Sequence, residues 1–73
     1  MNGELLATIR KTAGLTQVEM AERLKVSQQL VQKYETSKRR IQPYIITRLY
    51  IEFGADYIEE VRAISDKYLS NTE

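Results

Sequence analysis

Gln28, Gln29, Gln32 and Lys33 recur at a spacing that gathers their side chains on one side of a helix turning roughly 100° per residue. A glutamine amide donates and accepts at once, so it can match the N6 and N7 edge of adenine with two hydrogen bonds. The lysine can reach guanine O6 and N7 or a phosphate oxygen, and its chemistry suits both. A glutamine-rich helix face is by itself ordinary solvated surface. What lifts this one above that reading is the pattern in which it is embedded.

The four side chains need a helix held firmly by its other face. Leu30, Val31 and Tyr34 supply that face, and they belong to a longer pattern from Gln17 to Thr36. With Gln17 as the first position, the fourth, eighth, tenth, fifteenth and eighteenth are Met20, Leu24, Val26, Val31 and Tyr34. All are apolar and would form the seam between two short helices crossing at a steep angle. Ala21 falls where the two axes approach most closely, and a larger side chain there would force them apart. Ser27 can cap the second helix by accepting from a free N–H of its first turn. The segment reads as a helix-turn-helix, with helices at 17–24 and 28–35, whose second helix inserts into DNA.

The remaining elements are also helical. Residues 4–13 carry Leu5, Leu6, Ile9 and Ala13 at helical spacing, with Gly14 as the stop. Thr16 and Glu19 have the spacing of a capping box at the start of the second helix. Pro43 suits the first turn of a fourth helix over 43–53, with Ile46, Leu49, Tyr50 and Phe53 on its inner face and Gly54 at its end. Asp56 and Glu59 read as the capping box of a fifth helix over 56–69. Its apolar positions, Ile58, Val61, Ile64, Tyr68 and Leu69, either pack on the chain's own core or form a surface for a second copy or another protein.

Composition excludes several classes. At 73 residues the chain supports one domain with a small core, and 42% hydrophobic content is too high for a disordered segment. With no cysteine or histidine, disulfide frameworks, ordinary zinc sites and Cys–His or Ser–His catalysis drop out. Glu59 and Glu60, adjacent on a helix, diverge and read as solvated charges near its N-terminus. No glycine-rich phosphate loop occurs, so an enzyme is the least favoured class, and no cofactor is expected. No apolar run approaches the ~20 residues that span a bilayer, and the N-terminus lacks a basic-then-apolar signal pattern. A cytoplasmic location without membrane contact is expected.

The net charge of +1 conceals an asymmetry. Residues 1–48 hold nine Lys and Arg against four Glu, whereas residues 49–73 hold two against six Asp and Glu. A basic head and an acidic tail would orient the molecule on a duplex. Lys38, Arg39 and Arg40 directly follow the candidate reading helix and are expected to contact phosphates.

From about Leu5 to Val61 the chain resembles the helix-turn-helix family of phage repressor and Cro proteins, also called Xre-type regulators. The resemblance is carried by Arg10, Gly14-Leu15-Thr16-Gln17, Ala21-Glu22-Arg23-Leu24, Val26-Ser27-Gln28, Tyr34-Glu35 and Lys38-Arg39. It implies a compact, all-α, five-helix, lambda-repressor-like domain with the helix-turn-helix at helices two and three. It further implies that Gln17 binds a phosphate and braces Gln28, and that Arg10 and Glu35 form a structural ion pair. Three departures stand out. Lys25 occupies the ninth motif position, where the backbone commonly turns left-handed and glycine is usual. Thr36-Ser37 replaces the frequent Asn-Gly, and Tyr50 is bulky where a small residue is common.

The sequence thus predicts a DNA-binding transcriptional regulator that occupies an operator, and the resemblance implies that the operator is a palindrome bound by a homodimer. Its expected base readers are Gln28, Gln29, Gln32 and Lys33, and its expected backbone contacts are Gln17, Lys38, Arg39 and Arg40. The competing reading is a small phage or mobile-element modulator that captures a partner repressor protein. Fold alone does not choose between them.

Overall fold

The computed structural model describes residues 1–70, with side chains described as far as Asp66. Its five helices are α1 (Gly3–Thr12), α2 (Gln17–Leu24), α3 (Gln28–Glu35), α4 (Pro43–Phe53) and α5 (Ala55–Ser70), and no strand occurs among the described residues. α3 packs against α1 and α2, α4 lies across α2, and α5 closes the far side against α1 and α4.

One core joins all five. Leu6, Ile9, Met20, Val31, Tyr34, Leu49 and Ile58 have no solvent exposure, and Ile45 is 1% exposed. Leu5, Ala21, Leu24, Ile41 and Val61 complete it. Of the seam positions, Met20, Leu24, Val31 and Tyr34 are buried, and Val26 packs at the margin, half-buried. Ala21, 4% exposed, gives α2 and α3 their close approach.

Local chemistry sets the helix ends. Asn2 Oδ1 accepts from the Leu5 N–H at 2.8 Å, so α1 starts at Gly3 and ends at Thr12 rather than running 4–13. Ala13 is therefore an exposed C-cap and not a core position. The Thr16 hydroxyl accepts from the Glu19 N–H at 3.1 Å, and Glu19 Oε1 accepts from the Thr16 N–H at 2.9 Å, completing a capping box on α2. The Thr16 N–H and then its hydroxyl hold the Glu19 carboxyl below the usual carboxylate range.

Two further sequence-based expectations need correction. The inner face of α4 is rotated from the one predicted: Ile45 and Leu49 are buried, while Ile46, Tyr50 and Phe53 pack partly exposed against the core. Tyr50 is thus accommodated at the edge. In α5, Ala55 opens the helix and Asp56 lies inside its first turn, so Asp56 and Glu59 do not form the expected box. Glu59 pairs instead with Arg62 at 3.2 Å. Of the apolar positions on α5, Ile58 and Val61 are buried and Ile64 is half exposed. The side chains of Tyr68 and Leu69 lie outside the described residues.

Gly3 shows how tightly α1 meets the end of α3. A Cβ there would collide with the Tyr34 carbonyl oxygen and come within 2.9 Å of that of Glu35. Backbone, not a flexible side chain, blocks the space. Gly3→Ala is expected to lower stability by about 1–3 kcal/mol, the usual penalty for overpacking. Urea denaturation measures it, and an unchanged midpoint would show that this helix contact yields freely.

Candidate nucleic-acid interface

The two helices of the motif meet through a short turn with unusual backbone. Lys25 is left-handed (φ 59°, ψ 43°), and its N–H is shared between the Ala21 and Glu22 carbonyls. A lysine in this conformation costs roughly 1 kcal/mol more than glycine. Val26 N–H then returns to the Ala21 carbonyl at 3.0 Å, so the reversal keeps its hydrogen bonds despite the strain. Ser27 follows as the cap of α3, its hydroxyl accepting from the Leu30 N–H at 3.1 Å.

α3 is sharply two-sided. Val31 and Tyr34 are fully buried and Leu30 is half-buried, whereas Gln28, Gln29, Gln32 and Lys33 are all exposed. The four predicted readers stand together in solvent on the face that the core does not use. The helix cannot roll to hide them without pulling Val31 and Tyr34 into water.

The chain reverses immediately after α3. Ser37 adopts φ 60°, and the N–H groups of Lys38 and Arg39 both return to the Lys33 carbonyl, at 2.9 and 3.2 Å. A serine therefore does here what glycine commonly does in related loops. Lys38, Arg39 and Arg40 follow, all exposed, at the end of α3. Tyr34 links this edge to α4: its hydroxyl donates to Gln42 Oε1 at 2.9 Å. Gln42 is the α4 N-cap, and with its side chain thus engaged it makes no side-chain cap bond. Burial pushes the Tyr34 hydroxyl pKa up, as does nearby Tyr44, while Arg39 opposes them. Tyr44 itself is 63% exposed beside this basic edge, a position the sequence reading did not single out.

The base of α3 is held by an ion pair. Arg10 Nε donates to Glu35 Oε2 at 2.7 Å and its Nη2 to Oε1 at 3.0 Å, a two-point contact, while Nη1 donates to the Leu15 carbonyl at 3.0 Å. The two side chains are only 12% and 7% exposed. Gln17 joins them, its Nε2 donating to Glu35 Oε1 at 3.1 Å. The hydrogen bond Gln17 makes is to Glu35 rather than to Gln28, contrary to the brace that the resemblance implied.

A family model described as a helix-turn-helix domain covers residues 3–63, from the start of α1 into α5. No curated protein and no solved structure matches the chain. No helix among the described residues is long and apolar enough to cross a membrane.

Removing Glu35 would leave Arg10 charged and nearly buried without its partner. Glu35→Ala is expected to cost about 3–5 kcal/mol, whereas an exposed pair such as Glu59 and Arg62 contributes about 1 kcal/mol at most. Chemical denaturation of Glu35→Ala beside Glu59→Ala makes the comparison. Equal losses would mean that the Arg10 contact is incidental to the fold.

Proposed function

Because this chain belongs to the helix-turn-helix family of Cro and repressor (Xre) type, we propose that it is a transcriptional regulator that occupies a specific double-stranded DNA operator. α3 enters the major groove, with Gln28 and Gln29 reading bases, Gln32 within reach of another, and Lys33 meeting guanine or a phosphate. The observation that carries this reading is the two-sidedness of α3, whose fully buried Val31 and Tyr34 fix the glutamines outward. Lys38, Arg39 and Arg40 neutralise phosphates at the groove edge. Gln17 has a second amide proton beyond the one given to Glu35, and a backbone phosphate is its partner in this reading. The protein acts by occupancy and not by chemistry of its own.

A single recognition helix reads few base pairs, so the operator is taken to be a palindrome bound by two copies, with half-sites about 34–36 Å apart. In this reading the second copy sits against the groove of about 600 Å³ between α1 and α5, which is lined by Glu4, Ala7, Thr8, Lys11, Val61 and half-exposed Ile64. The same groove supports the second reading, a modulator that captures a partner repressor. Selection of the purified protein against random duplexes separates the two. An enriched palindrome supports the dimeric reader, and no enrichment by a folded protein favours the modulator.

Two substitutions test the residue roles. Gln28→Ala is expected to weaken operator binding by about 1–3 kcal/mol and to relax one base position. Equal loss on every sequence would remove it from the readers. Arg39→Ala is expected to weaken binding to all duplexes alike and to reduce the slope of log affinity against log salt by about one. A salt titration that leaves the slope intact would take Arg39 off the phosphate contacts.

A further inference from the structure

Glu4, Ala7, Thr8 and Lys11 recur at three- and four-residue steps along α1, so they share one face of it, and all four line the groove between α1 and α5. Glu4 and Lys11 are exposed, and neither belongs to an ion pair among the described residues. They are unpaired charges of opposite sign, about 10 Å apart along the helix axis. Between them Ala7 is small, and the Thr8 hydroxyl already donates to the Glu4 carbonyl at 2.9 Å. The middle of the stripe therefore asks nothing polar of a neighbour and admits a second helix closely. Beside it, buried Val61 and half-exposed Ile64 supply apolar surface from α5.

This stripe is complementary to itself in one orientation. A twofold axis perpendicular to α1, passing between Ala7 and Thr8, sets two copies of the helix antiparallel. Glu4 of each copy then stands opposite Lys11 of the other, with the small residues in contact at the centre. A twofold axis parallel to α1 would instead set Glu4 against Glu4 and Lys11 against Lys11, like charges directly opposed. We infer that a second copy of this chain occupies the groove by packing its α1 antiparallel on α1 in this register, each copy covering Ile64 of the other. The inference rests on the dimeric reading proposed above and adds to it the element and the register through which the copies meet. Glu35 lines the same groove, so the contact borders the residue that anchors α3.

Charge reversal read by sedimentation equilibrium, without DNA, tests the register. The wild type is expected to show a monomer–dimer equilibrium that weakens as salt rises. Glu4→Lys and Lys11→Glu, made separately, each oppose two like-charged pairs across the axis, and each is expected to weaken self-association about thirtyfold. Mixed in equal amounts the two variants are complementary again, because one chain carries two positive ends and the other two negative ones. The mixture is expected to recover a dimer of about wild-type strength containing one copy of each. Glu4→Gln, which keeps the side-chain length, is expected to weaken association about fivefold and decides the matter if a reversal unfolds α1. A wild type that stays monomeric at millimolar concentration would overturn the inference. So would a dimer indifferent to the substitutions, or a mixture of folded variants that recovers nothing. A palindrome selected by a protein whose dimer ignores the reversals would keep the dimeric reader and place its twofold axis elsewhere. A protein that selects no duplex yet pairs on mixing would keep this contact and fell the operator reading alone.

Discussion

A charge that leaves water must be compensated where it goes, and the Glu35 carboxylate, 7% exposed, finds its compensation in two other helices. Arg10 from α1 grips both oxygens and Gln17 from α2 adds a third donor. The carboxylate is satisfied only when α1, α2 and α3 stand in one arrangement. Apolar packing brings these helices together, and this cluster of directional bonds selects among the ways they might pack. The orientation of α3, on which any reading by its outer face depends, is therefore set largely from its last residue.

The outer face owes its polarity to the same geometry that buries the inner one. Tyr34 fills the core with its ring and gives its hydroxyl to Gln42, so that with Val31 it withdraws most of that side of α3 from solvent, Leu30 staying half-buried at its margin. With the inner face committed, Gln28, Gln29, Gln32 and Lys33 have only the outside left. The basic loop arrives beside them because Ser37 takes a left-handed conformation and sends Lys38, Arg39 and Arg40 back along the end of the helix.

The fold class and the family were legible because α2 and α3 are amphipathic with a clear period and have caps one can read from residue types alone. α4 was less so. In PYIITRLYIEF apolar residues occur nearly all round, so the period does not single out one face, and packing on α2 and α5 turned Ile45 inward. The head of α5 was misplaced by one residue, since the Asp56–Glu59 spacing suggested a capping box whereas the helix already begins at Ala55. Arg10 and Glu35 are 25 residues apart, and their pairing was available only through the family resemblance. The Gln17 contact was not available even there, since it depends on how far the two helix ends approach. Nothing local marks Gly3 either; the atoms that require a glycine belong to α3.

That contact at Gly3 also has an electrostatic side. The first turn of α1 abuts the last carbonyls of α3, so the positive pole of one helix meets the negative pole of the other. An α-helix entering a phosphate-lined groove carries a liability at its C-terminal pole, where partial negative charge gathers, and here Glu35 adds a full one. The amide pole of α1 and the guanidinium of Arg10 offset both from within the protein. If α3 enters DNA as proposed, it does so with its own negative end already screened, which leaves the cations of Lys38, Arg39 and Arg40 for phosphates.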